Sequence, residues 1–196
     1  MSSTIPFQTY DWLKSASVYN KRFANIPSKW IKENTDVLLL LFNSKGADKD
    51  SVLKKFFHIY ETVKHSNIPI EVIYASVEET EKEMRASYEN QANWFTFKFD
   101  DALVLDLMYM YEITSVPHIL VLKPDCTVIS HHGIIDLEQY GKNAVISWLS
   151  TAASTKQRAL NKEIDIYGPK WNYLKTSGEK KEYQRKFNFT QNFKRS

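Results

Sequence analysis

The run Asp36-Val-Leu-Leu-Leu-Leu-Phe-Asn43 constrains this chain more than any other stretch. An apolar run from Val37 to Phe42 falls far short of the roughly 18 residues that a membrane helix needs. It also lacks the alternation of a strand with one wet face. It therefore predicts a central strand buried on both faces, which requires helices covering both sides of its sheet.

The flanking text supplies those helices. Val52, Phe56, Ile59, Tyr60 and Val63 recur at helical spacing, ending near Asn67-Ile-Pro69. Asp48 and Asp50 stand in the expected first turn, where the helix dipole favours carboxylates. Ile70 to Ser76 reads as a second strand, rich in β-branched residues. Glu78 to Asn90 reads as a helix with a solvated charged face, Glu78 with Lys82 and Glu81 with Arg85 being spaced for ion pairs. The aromatic stretch Trp94 to Phe99 follows, then a short helix from Ala102 to Tyr111 capped by Asp100-Asp101. Ile119 to Lys123 and Thr127 to Ser130, joined through Pro124-Asp125-Cys126, make a hairpin. Leu137, Tyr140, Ala144, Val145, Trp148 and Leu149 mark the apolar face of one closing helix, which fades through Ser150 to Thr155. Strand and helix alternate first and a hairpin comes last, so the prediction is an α/β fold with a mixed central sheet between two helical layers.

The chemistry this chain can carry is narrow. Its single cysteine, Cys126, excludes an intrachain disulfide, a cysteine-based zinc cage and a dithiol mechanism within the chain. No metalloprotease, phosphate-loop or dinucleotide-binding pattern occurs, and Ser44 lacks a nucleophile-elbow context. His131 and His132 are adjacent on the hairpin, where alternation sends them to opposite faces, and His118 stands alone after Pro117. No metal site, cofactor or catalytic residue is expected. The start, Met1 to Trp12, has neither the basic residues nor the apolar core of a secretory leader, so a cytosolic protein without membrane segments is expected.

Three features together carry a family resemblance: Leu41-Phe42 ending the first long strand, Asn93-Trp94 before the aromatic stretch, and Val116-Pro117-His118 before the hairpin. Over Asp36 to Ser150 the chain resembles the tryparedoxin and nucleoredoxin branch of the thioredoxin fold. That branch carries its two redox cysteines where the first long strand runs into its helix. Here the matching positions are Ala47 and Asp50, so the resemblance implies the fold without its chemistry. It also implies a cis peptide before Pro117 with a structural role, and it places Cys126 in a turn where the family usually has glycine. An inert thiol is expected there.

The net charge of +3 hides an uneven distribution. Residues 156–196 hold 11 basic and 4 acidic side chains, and residues 1–155 hold 15 and 19, so a body at −4 carries a tail at +7. In the tail, Trp171, Tyr173, Tyr183, Phe187, Phe189 and Phe193 interleave with cations such as Arg185 and Lys186. That pattern fits an arm docking on a protein partner, with aromatics in pockets and cations at the rim. Packing on the chain's own sheet edge and binding of single-stranded nucleic acid stay open, the latter disfavoured. The expected organisation is an N-terminal extension (1–35), a thioredoxin-like domain (36–154) and a basic aromatic C-terminal arm (155–196). Phe7, Tyr10, Trp12, Tyr19, Phe23 and Trp30 give the extension the same aromatic character, as of a second arm.

A thioredoxin-like body that lacks the two redox cysteines and carries aromatic arms is similar to the apicomplexan thioredoxin-like proteins of subpellicular microtubules. That resemblance implies a redox-inactive cytoskeletal protein in the cytoplasm, bound to tubulin beside other microtubule-associated proteins, as a microtubule inner protein of the lumen. The alternatives are a redox-active tryparedoxin-like oxidoreductase and a phosducin-like binding module.

Overall fold

The computed structural model describes residues 10–44 and 51–163, with backbone alone at Ser51 and over 155–163. The apolar run forms strand β3 (Val37–Asn43), and all seven of its residues are buried. Its side chains divide by parity. Val37, Leu39 and Leu41 enter one core, while Leu38, Leu40 and Phe42 enter the other. Each fully buried leucine contributes roughly 1.5–3 kcal/mol relative to exposure, which is why the run tolerates no polar residue.

Before β3 come a 3-10 turn (Trp12–Lys14), strands β1 (Val18–Tyr19) and β2 (Asn25–Ile26), and helix α1 (Ser28–Asn34). After it come α2 (Ser51–His65), β4 (Ile70–Ser76), α3 (Glu81–Glu89), β5 (Phe95–Thr96), α4 (Ala102–Met110), β6 (His118–Leu122), β7 (Val128–Ser130), α5 (Gly133–Tyr140) and α6 (Lys142–Glu163). The sheet order is β2-β1-β5-β4-β3-β6-β7. β3 pairs in parallel with β4 and antiparallel with β6, giving the mixed interior predicted from the alternation of elements. Side chains of α2, α3, α5 and α6 fill the first core; the 3-10 turn, α1 and α4 fill the second. The fold is α/β, a three-layer arrangement of the thioredoxin-like kind.

Trp94 organises the first core. It is fully buried, stacks on Phe56 at 5.6 Å and meets Phe57 and Tyr60 edge-on at 5.1 and 5.2 Å. Its indole N–H donates to Gln91 Oε1 at 3.0 Å, so burial leaves no orphan donor.

Several boundaries differ from expectation. Residues 10–35 of the extension read as a second arm are built into the body: β1 pairs with β5, and Trp12, Leu13, Val18 and Ile31 are fully buried. α3 starts at Glu81 rather than Glu78, because Thr80 caps it, its side chain accepting from the Glu83 N–H. Arg85 pairs with Glu81 at 2.7 Å as the spacing predicts, and Asp101 caps α4 by accepting from the Leu103 N–H. The closing helix is two helices, broken at Gly141, whose φ of +54° lies in the left-handed region. α6 does not fade at Ser150 but runs on to Glu163.

Candidate functional site

In this architecture the place to look for chemistry is the edge where β3 and β4 end. β3 stops at Asn43 and α2 begins at Ser51. Ala47 and Asp50 fall between them and lie outside the described residues, as does the expected capping by Asp48 and Asp50. Facing that edge, the Val116–Pro117 peptide is cis, and β6 opens directly after it with His118 paired to Phe42.

His118 is not solitary. Its ring lies 6.3 Å from His132, which lies 6.4 Å from His131. Strand alternation does not govern the other two, because β7 ends at Ser130 and neither His131 nor His132 is held on a strand. Gly133 lets this turn close. A Cβ there would stand 2.7 Å from Ile119 Cγ2 and 2.8 Å from its carbonyl oxygen, so only glycine allows α5 to start against β6. The β6–β7 hairpin register brings the chain back beside His118, and no single residue in the sequence announces that the histidines meet. Burial lowers the pKa of His118, the charges of its two neighbours add to that, and a backbone hydrogen bond at His131 partly offsets it. Its Nε2 and the Oδ1 of Asn43 are buried without a hydrogen-bond partner among the described residues. Among those residues no group of three or more His, Cys, Asp or Glu side chains is arranged to hold a metal ion.

Cys126 sits at the other pole. β6 runs from the edge at His118 to Leu122, which pairs with Leu38 near the start of β3. With a rise of about 3.3 Å per residue, the turn beyond Leu122 is more than about 13 Å from the cis-proline edge. Within the turn Cys126 has φ +70°, the left-handed conformation that explains why glycine suits this position. Its side chain is 1% exposed, and Sγ lies 3.8 Å from Asp11 Oδ1, a carboxylate that also pairs with Lys32. Burial pushes the thiol up to about 11, and the Asp11 charge adds to the effect. The result is a neutral, enclosed thiol, the reverse of the electropositive setting that makes a cysteine reactive.

The residues expected to bind a partner, Trp171, Tyr173, Tyr183, Arg185, Lys186, Phe187, Phe189 and Phe193, lie outside the described residues. No helix among the described residues is long and apolar enough to cross a membrane.

Comparison with known proteins agrees with this geometry. The family described as Thioredoxin-like matches residues 34–128, just under half of the chain. The chain carries a thioredoxin-like domain with nucleoredoxin-like and tryparedoxin-like neighbours. It is 30% identical over 95 residues to probable nucleoredoxin 3 of Oryza sativa subsp. japonica, covering 48% of this chain and 20% of that protein. It is 23% identical over 137 residues to nucleoredoxin-like protein 1 of Danio rerio, covering 66% and 64%. The chain thus spans less than two thirds of either relative. Among solved structures, thioredoxin from Wuchereria bancrofti superposes with a TM-score of 0.59 at 19% identity, covering 71% of this chain and 97% of that one. Tryparedoxin from Trypanosoma brucei gives 0.56 at 17% identity, covering 69% and 92%.

Proposed function

We propose that this protein is a non-catalytic thioredoxin-fold structural protein that binds tubulin and stabilises microtubules, its terminal arms contacting tubulin or neighbouring microtubule-associated proteins. The observation that carries the non-catalytic half is the position of the only cysteine, buried at the pole of the sheet opposite the cis-proline edge. Thiol exchange needs an accessible thiolate, and neither Ala47 nor Asp50 can supply one. The tubulin half rests on the basic, aromatic C-terminal segment and on the resemblance to apicomplexan proteins of subpellicular microtubules. In this reading the fold is a repeated unit along the lattice, in the cytoplasm and on the luminal face. Many modest contacts along a filament gain strength through avidity.

Co-sedimentation with polymerised tubulin at physiological salt tests this directly, with the full chain and with a version ending at Glu163. Pelleting of the full chain, reduced in the shortened one, is the expected result. Failure of both to pellet removes the tubulin reading, and equal pelleting removes the tail from it. An insulin-reduction assay with Cys126→Ser as control separates the oxidoreductase reading: turnover that the control loses would overturn the non-catalytic assignment.

A further inference from the structure

We propose that the cleft between residues 20–30 and the wall formed by α2, β4 and β5 is a binding site for an acidic peptide segment bearing a large apolar side chain. The cleft holds about 540 Å³, within the range of ligand pockets. One wall comes from Asn20 to Trp30, which precede residue 34, where the thioredoxin-like match begins; the other comes from α2, β4 and β5. It is therefore a feature added to the fold rather than part of its redox edge.

Its charge is the first argument. Lys21, Arg22 and Lys64 line it against a single carboxylate, Glu71. Glu71 is 3% exposed and already satisfied: the Tyr60 hydroxyl donates to it at 3.0 Å and Lys64 pairs with it. That leaves Lys21 and Arg22 as the lining cations without a carboxylate at ion-pair distance among the described residues, on a body whose sequence is net acidic. Lys21 is fixed in place. Its ammonium donates to the backbone carbonyls of Tyr88 and Gln91 and lies 4.1 Å from the centre of the Tyr88 ring. Among the described residues no carboxylate stands within ion-pair distance of it, and burial brings its pKa down to about 8 against the opposing charges of Glu89 and Glu61. A cation partly withdrawn from water, whose direct contacts are neutral and whose nearest carboxylates act only from beyond ion-pair distance, gains from an incoming anion. Asn20 holds the neighbouring turn, its Oδ1 accepting from the N–H groups of Arg22 and Ala24 at 2.9 and 3.0 Å, which positions Arg22 at the rim.

Its apolar wall is the second argument. Trp30 is 42% exposed and rests edge-on against Phe95 at 5.8 Å, so a large ring faces the cleft already braced from behind. An aromatic beside separated cations is the composition of an interface anchor. No glycine lines the cleft, so the cradle of backbone N–H groups typical of phosphate sites is missing, and cations on separate elements suit several carboxylates better than one phosphate.

The test uses the full chain and a fluorescein-labelled Glu-Glu-Phe-Glu-Glu peptide followed by anisotropy, with Lys-Lys-Phe-Lys-Lys, inorganic phosphate and ATP as comparisons. Saturable binding of the acidic peptide, weakened by salt, is expected, with no binding of the basic one. Arg22→Gln, at an exposed position, should weaken it by about tenfold, and Trp30→Ala by at least several-fold, with thermal stability of both variants followed in parallel. Equal binding of both peptides, unchanged affinity in both folded variants, or binding of phosphate or ATP in place of the peptide would overturn the assignment. The assay contains no tubulin, so its outcome is independent of the microtubule reading.

Discussion

The reactivity of Cys126 can be worked out from its surroundings. Its thiol is pushed from an ordinary 9.0 up to about 11 by burial, with the Asp11 carboxylate adding to the effect. At pH 8 a thiol with the ordinary value is roughly one tenth thiolate and one at 11 roughly a thousandth, a deficit of about 100-fold. A more basic thiolate is intrinsically more nucleophilic, with a Brønsted slope of about 0.4–0.5, which returns about eightfold over two pK units. Electrostatics alone then slow the folded thiol by about tenfold. Enclosure multiplies this, because at 1% exposure a disulfide reagent must wait for the turn to open, and each 1.4 kcal/mol of opening energy is another factor of about ten. The assay is the rate of reaction with Ellman's reagent at pH 8, native against urea-unfolded protein. The native rate should be slower by at least about tenfold. A native rate equal to the unfolded one, or a native titration midpoint below 9.0, would refute both the burial argument and the inert assignment.

Other consequences are open to measurement. Gly133→Ala places a Cβ 2.7 Å from Ile119 Cγ2 and should lower unfolding free energy by about 1–3 kcal/mol in urea titrations. Lys64→Met leaves Glu71 buried without its cation and should cost about 2 kcal/mol, discounted because Lys64 is itself 37% exposed; Lys64→Met with Glu71→Gln should recover part of the loss. His118 has a folded pKa below the unfolded 6.5, so the folded state binds its proton less readily than the unfolded chain. The stability it contributes is present above pH 6.5 and lost as pH falls from there through the folded value; His118→Gln should flatten that limb of a stability-against-pH curve.

What could be read in advance was whatever local chemistry decides. β3 needed only an unbroken apolar run, the hairpin only Pro124-Asp125 between two apolar stretches, and α4 only Asp101 before its first turn. The N-terminal segment escaped because burial is a tertiary property. Trp12 and Trp30 look alike in the sequence, yet one is fully buried and the other 42% exposed, and only packing distinguishes a core aromatic from one left free to dock. β5, with two residues, is too short to carry a period, and the one sign that the closing apolar stripe belongs to two helices is Gly141, a helix-stop residue that the continuity of the stripe outweighed. The histidine cluster was invisible for a related reason: 14 positions separate His118 from His132, and only the β6–β7 register returns the chain to the same edge.

Cys126 also offers a way to show that its role is conformational. Its backbone has φ +70°, which costs an L-residue roughly 1 kcal/mol or more, and its carbonyl accepts from the Tyr111 hydroxyl at 3.0 Å, itself the acceptor of the Trp12 indole N–H at 3.0 Å. This chain of bonds ties the N-terminal segment to the hairpin, so the turn must keep its left-handed shape. Cys126→Ala retains the backbone cost and empties the sulfur's place. Cys126→Gly loses one further buried carbon, worth about 0.8 kcal/mol, but relieves the strained φ, worth about as much or more. Glycine should therefore be as stable as alanine or slightly better, the reverse of the order in ordinary helix or strand positions, where glycine is worse by about 0.5–1 kcal/mol. Urea denaturation of the two variants decides it. If glycine proved less stable than alanine by a full 1 kcal/mol or so, the left-handed turn would not be what this position demands, and the sulfur would need another explanation.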